Sequence, residues 1–229
     1  MRQVASGIKR LTRPCAFFAT LPRSALLIAV LLVTHSCWFG PPIEIETSEP
    51  VVTRRYLGKE DLPQHTDFGN AWTIWTFPVR AEFDLEEMPS LHTGDTYVFK
   101  IKSMHIKLGL EIIMKLPFGV RDKLLRHEES HVEMTEAVYK EAPQIAQNCA
   151  QSLLGTKLIE HSANAQSARA FALREARVSF STEYKKLTAD KADALARRFD
   201  KITVHGTNNI PDPEAKKRAI EQYNANPML

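Results

Sequence analysis

Within Leu125-Arg126-His127-Glu128-Glu129-Ser130-His131, two histidines stand four residues apart and a glutamate follows the first, an H-E-x-x-H pattern. On a helix, residues four apart share a face, so two imidazoles can grip one zinc ion while the intervening carboxylate reaches a water on it. Zinc lowers the pKa of its water and polarises a carbonyl; Glu128 takes the proton from that water and returns it to the leaving amine. The expected chemistry is amide-bond hydrolysis, with Zn2+ as cofactor, His127 and His131 as metal ligands and Glu128 as general base.

Two histidines do not finish such a site, because catalytic zinc takes three protein ligands and keeps a fourth position open. The continuation Val132-Glu133-Met134-Thr135-Glu136-Ala137 has no Gly, and no His follows before His161, which excludes a metzincin-type arrangement. The third ligand must come from a distant segment. Glu175, Glu183 and Asp190 on a downstream helix are acidic candidates, and His205 in Thr203-Val204-His205-Gly206 is the other. From His131 to Gly155 a helix rises roughly 36 Å at 1.5 Å per residue, and a returning helix covers that distance by about residue 190. The chain beyond can overshoot and turn back, and an imidazole beside a conformationally free Gly suits a ligand. A donor for the developing oxyanion is also needed, for which Tyr184, Arg198 or an unligated His205 are candidates.

The motif needs a helix with a polar and an apolar face. At 100° per residue, Leu124, His127, His131, Met134 and Val138 form one stripe, and Arg126, Glu129, Glu133, Glu136 and Lys140 form the opposite one. The histidines therefore face inward, and the glutamates other than Glu128 read as a solvated face rather than a second metal cluster. The helix is expected from about Val120, with Pro143 kinking or interrupting it and Gly155 as its stop. After a short connection, Thr156 to Ser162, the stretch from Asn164 to about Asp200 lacks Pro and Gly. It carries Leu173, Ala176, Phe180, Tyr184, Leu187 and Leu195 at helical spacing, which predicts one long helix packed antiparallel on the first. A short basic helix is expected over Glu214 to Tyr223.

Upstream, period-two patterns dominate. Ala71 to Phe77 is aromatic and β-branched, and Arg80 to Asp84 extends the sheet on an edge. From Thr96, Tyr97, Phe99 and Ile101 alternate with polar residues; the parity shifts at Lys102-Ser103 and continues through Met104, Ile106, Leu108, Leu110, Ile112, Met114 and Leu116. Gly109 marks a bulge or bend in what is otherwise an overlong strand. The segment before, from Pro41 to Asn70, reads as a polar approach and turn-rich stretch.

The first 37 residues stand apart. Arg2, Lys9, Arg10, Arg13 and Arg23 precede the apolar run Ser24 to Val33, and no acid occurs before Glu44, so the chain's basic balance belongs to this leader. It reads as an export signal. Thr34-His35-Ser36-Cys37 leaves three alternatives open: lipidation of Cys37, ordinary cleavage nearby, or an uncleaved anchor extended through Trp38 and Phe39. Each places the body outside the cytoplasm, in the periplasm, attached to the membrane or secreted. Cys37 and Cys149 can pair if Cys37 is not lipidated; otherwise Cys149 is a small packing residue. In the body Lys and Arg are interspersed with Asp and Glu, which excludes a nucleic-acid surface. No phosphate-binding glycine loop or nucleophile elbow occurs, and His35, His65, His92, His105 and His161 have no paired spacing.

Several segments together resemble a bacterial family described as predicted secreted zinc-dependent proteases, a domain of unknown function. They are Ala71-Trp72-Thr73-Ile74-Trp75, the strand ending Lys115-Leu116-Pro117, His127-Glu128-Glu129-Ser130-His131, and Arg198-Phe199-Asp200-Lys201-Ile202-Thr203-Val204-His205-Gly206. The resemblance spans about Tyr56 to Asn209. Ser130 stands where the family often has Gly, and the Gln-rich continuation after His-Gly is not evident. The resemblance implies a zinc site and favours His205 as its third ligand.

These readings combine into an α+β, zincin-like domain over residues 38–229: a small, twisted, mainly antiparallel sheet followed by a long antiparallel helical hairpin. Its expected substrate is a polypeptide or a peptidoglycan peptide of the cell envelope. The alternative is a non-catalytic, envelope-anchored interaction protein with a structural or vestigial metal site. Oligomeric state is not encoded in these patterns.

Overall fold

A computed structural model describes residues 42–58 and 71–227. The predicted leader, Cys37 and His65 lie outside the described residues. Among those described, no helix is long and apolar enough to cross a membrane.

The fold is α+β. Among the described residues, seven strands precede or interleave four α-helices: β1 (Ile43–Thr47), β2 (Val51–Leu57), β3 (Trp72–Thr76), β4 (Val79–Glu87), β5 (Thr96–Leu108), β6 (Glu111–Pro117), α1 (Asp122–Leu153), β7 (Lys157–His161), α2 (Ala165–Leu187), α3 (Ala189–Thr203) and α4 (Asp212–Ala225). The expected single sheet is two. In the first, β5 pairs antiparallel with β4 and β7 and parallel with β1; in the second, β6 lies between parallel β2 and antiparallel β3.

The division has a local cause. Gly109 separates β5 from β6 and Pro78 separates β3 from β4, and the two meet: Gly109 N–H donates to Pro78 O at 2.9 Å. A Cβ on Gly109 would lie 3.0 Å from Pro78 Cγ, so a larger residue would have to push the proline ring back by a few tenths of an ångström. β1 and β2 bend at the same level, where Ser48 and Val51 donate to Leu108 O and Leu110 O. The parity shift at Lys102-Ser103 is a bulge, since Asp84 pairs with Ser103 but Leu85 pairs with Ile101.

Alternation then decides what is buried. Phe99, Ile101, Met104, Ile106, Leu108, Leu110, Ile112, Met114 and Leu116 are all in the interior. α1 touches strands of both sheets, and Tyr139, Ala142, Ala146, Cys149 and Ala150 on it join the main core with Phe180 and Tyr184 of α2. At roughly 25 cal/mol per Å2 of apolar area, this burial dominates the stabilisation.

The structure differs from the expected helices at two places and adds a strand between them. Pro143 does not interrupt α1, which runs continuously through it with Tyr139, Ala142 and Ala146 buried on both sides. The tertiary packing outweighs the one lost backbone hydrogen bond. The single helix expected over Asn164 to Asp200 breaks at Thr188, which has φ −119° and ψ −81°. There Thr188 N–H turns to Lys185 O instead of continuing the α-helical pattern, and its buried hydroxyl donates to Tyr184 O at 2.7 Å. The connection from Thr156 contains β7, held on Thr96 to Lys100 of β5.

Candidate metal centre

α1 presents its histidines inward as the stripe requires: His127 and His131 are buried with Met134 and Val138, while Arg126, Glu133 and Lys140 are exposed. The opposite face is paired outward, Glu129 with Arg54 of β2 at 2.8 Å and Glu133 with Lys216 of α4. The break at Thr188 redirects the returning chain so that α3 crosses α1 beside the motif.

α3 brings Phe199 and Asp200. Nε2 of His127 and of His131 lie 3.1 and 2.9 Å from Asp200 Oδ1 and 3.3 Å from each other. Phe199 stacks on the His127 ring at 4.9 Å and meets the His131 ring edge-on at 5.2 Å, which fixes both orientations. Burial pushes the Asp200 carboxyl up, but hydrogen bonds from His127 and His131, and their charge when protonated, outweigh it and hold it well below the usual carboxylate range.

This triangle fits a divalent cation. Four ligands about 2.0–2.1 Å from a tetrahedral ion lie roughly 3.3–3.4 Å apart, close to the three separations here. Two imidazole nitrogens and one carboxylate oxygen are a donor set that zinc accepts. In one respect the site is unusual: the buried Nδ1 atoms of His127 and His131 have no hydrogen-bond partner among the described residues, where a ligating histidine usually donates its second N–H.

Glu128 is buried beside the triangle. Thr73 Oγ1 donates to its Oε2 at 2.7 Å, and Trp75 Nε1 on the same strand donates to Asp193 Oδ1 of α3 at 2.9 Å. Strand β3 thus bridges both helices of the site. A pocket of about 120 Å3 is lined by Trp72, Thr73, Trp75, Glu128, both motif histidines, Asp200 and His205.

His205 therefore reaches the site but not the triangle. Its Nδ1 is 3.9 Å from Asp200 Oδ1, and its side chain is 46% exposed against 3% and 7% for His127 and His131. Val204 and His205 have φ of 49° and 52°, and Gly206 follows at 75°. Left-handed backbone at non-glycine residues costs about 1–3 kcal/mol each. A Cβ on Gly206 would stand 3.0 Å from His127 Cγ, so a larger residue would press on that ring as well as strain the left-handed backbone.

The other acidic candidates stay apart. Glu175, Glu183 and Asp190 are exposed, with Asp190 3.9 Å from Lys185. The carboxylate that joins the histidines, Asp200, was not among the sequence candidates, although it lies inside the Phe199 to Gly206 segment that carries the resemblance. Its signal was an acid directly after a buried aromatic near a helix end. Elsewhere, Glu44, Glu46 and His105 gather on an exposed edge, where Glu46 already pairs with Lys107 and His105. Cys149 is a buried free thiol whose pKa is pushed up by burial, as a packing residue requires. Comparison with protein-family models, with curated proteins and with solved structures found no match for this chain, so the site stands on its own residues.

Proposed function

We propose that the chain is a zincin-like, zinc-dependent hydrolase that cleaves peptide bonds in the bacterial cell envelope. His127, His131 and Asp200 hold the cation, and Glu128 moves the proton. The observation that carries this reading is the convergence of three ligand atoms, each within 3.3 Å of the others, next to a carboxylate held by Thr73.

When bound, zinc supplies Lewis acidity, lowering the pKa of water towards 7 and polarising a carbonyl. The chain's residues do the rest. Glu128 takes a proton from the attacking water as its oxygen bonds to the carbonyl carbon. The carbon–nitrogen bond then breaks, and the proton passes from Glu128 to the leaving nitrogen. Thr73 holds the Glu128 carboxylate in one orientation, which limits the reorganisation needed in the transition state.

β3 also supports an extended substrate. Among the described residues it pairs only with β6, on one side, and Trp72, Thr73 and Trp75 line the pocket. A polypeptide or a peptidoglycan peptide can add to that edge by backbone hydrogen bonds. The envelope assignment rests on the export character of the leader.

The test uses zinc-loaded wild type and Glu128→Gln with a mixed peptide library. Cleavage by wild type only, at equal zinc content, is expected. Zinc binding without cleavage by wild type overturns the hydrolase and leaves the envelope interaction protein with a structural ion.

A further inference from the structure

Hydrolysis through the centre proposed above needs a donor at the oxygen where negative charge accumulates. Three side chains were candidates, and their places in the fold separate them. Tyr184 is wholly buried between Phe180 and the core, and its hydroxyl faces no pocket that holds the triangle. Arg198 spends its guanidinium on Ala194 O and Asn226 O and lies over Tyr223, on the far side of α3. His205 alone of the three lines the pocket with Glu128, His127, His131 and Asp200.

The backbone that carries His205 is built for a fixed presentation. Three successive left-handed residues, Val204, His205 and Gly206, end α3, although the first is β-branched and disfavours that conformation. The surroundings hold it there. Val204 and His205 N–H both donate to Asp200 O, Asn208 N–H donates to Thr203 O at 3.1 Å, and Lys123 of α1 donates to Thr207 O at 3.0 Å and to Asn208 O. Gly206 rests on the His127 ring. A side chain whose backbone is held in a costly conformation, beside a reactive centre, is placed there by the rest of the fold. His205 stands at the rim of the triangle, with its side chain 46% exposed against 3%, 7% and 26% for His127, His131 and Asp200 and its Nδ1 3.9 Å from Asp200 Oδ1.

We propose that His205 is a catalytic residue whose ring N–H donates a hydrogen bond to the carbonyl oxygen of the scissile amide, and that it is not a ligand of the cation. The bond strengthens as the oxygen gains charge, so its effect falls on turnover more than on substrate binding. The inference rests on the hydrolase reading above.

The full-length protein is compared as wild type, His205→Ala and His205→Gly, the last removing the ring while relieving the left-handed backbone. Zinc content is measured by elemental analysis, cleavage with the peptide library, and affinity with a phosphinic alanyl-alanine dipeptide, whose phosphorus oxygens mimic the tetrahedral state. Expected are wild-type zinc content in both variants, kcat lowered by about 100- to 1,000-fold with KM within about threefold, and weaker phosphinic binding on the order of 100-fold. Loss of zinc from both variants makes His205 a ligand and overturns the proposal, as do unchanged kcat and unchanged phosphinic affinity. If wild type cleaves nothing, the hydrolase reading fails by itself and the phosphinic arm decides: His205-dependent affinity upholds the donor, whereas equal affinity, or none in wild type, overturns it.

Discussion

Thr73 on β3 donates its hydroxyl to the Glu128 carboxylate on α1 at 2.7 Å, joining the sheet to the motif helix at the carboxylate proposed above to move the proton. A hydrogen bond to a charged group is worth about 1.5–3 kcal/mol. Thr73→Val keeps the shape and removes the donor. Zinc content is expected to stay at the wild-type level while kcat falls about 10- to 100-fold. Thr73→Ser is expected to restore most of it, since a merely steric role would not distinguish Ser from Val.

Gly94 and Gly206 provide a matched pair, with φ of 61° and 75°. An added Cβ meets nothing within 4 Å at Gly94 but stands 3.0 Å from His127 Cγ at Gly206. Gly94→Ala is expected to lose about 1–3 kcal/mol of stability from its left-handed backbone alone, with zinc affinity unchanged. Gly206→Ala is expected to lose more than that, because its Cβ also presses on the His127 ring, and to weaken zinc binding as well. Thermal melts and competition with a chelator measure the two effects separately.

A pH dependence resides away from the site. Glu160 on β7 has its carboxyl pushed up, first by burial and then by the hydrogen bond and charge of Glu175 on α2. The folded state therefore holds this proton more tightly than the unfolded chain does. Its stabilising effect is present at low pH and is lost as pH rises through the raised value. Glu175→Gln removes the neighbouring charge, so its melting temperature is expected to exceed the wild type's at pH 7. The difference should vanish at about pH 3, below the ordinary carboxylate range.

The sequence carried the parts of the fold that depend on periodic burial. The alternation through Leu116, the bulge at Lys102-Ser103, the bend at Gly109 and the inward face of His127 and His131 all follow from side-chain period. β1, β2 and β7 did not, because they are short and largely exposed; β2 reads Val-Val-Thr-Arg-Arg-Tyr with both faces open, so no apolar period marks it. Pro143 and Thr188 misled in opposite directions. Proline is a strong local signal, and packing carries α1 through it without interruption, whereas the break at Thr188 is marked by no Pro or Gly and by no change in the residue pattern.

That break also hid Asp200. A single straight helix carries Glu175, Glu183 and Asp190 back along α1 and leaves the chain's end to overshoot. With the turn at Thr188, α3 instead sets Phe199 and Asp200 against the motif and leaves His205 at the pocket rim. Part of the site's geometry thus depends on a helix break that lies outside it.

The central claim is that His127, His131 and Asp200 hold one divalent cation. Zinc content after equilibration with a limiting zinc buffer tests it in wild type, His131→Ala and Asp200→Ala. The account predicts one zinc per wild-type chain and essentially none in either variant, with folding preserved by circular dichroism. A wild type that takes up no zinc, or an Asp200→Ala protein that keeps its full complement, would contradict it.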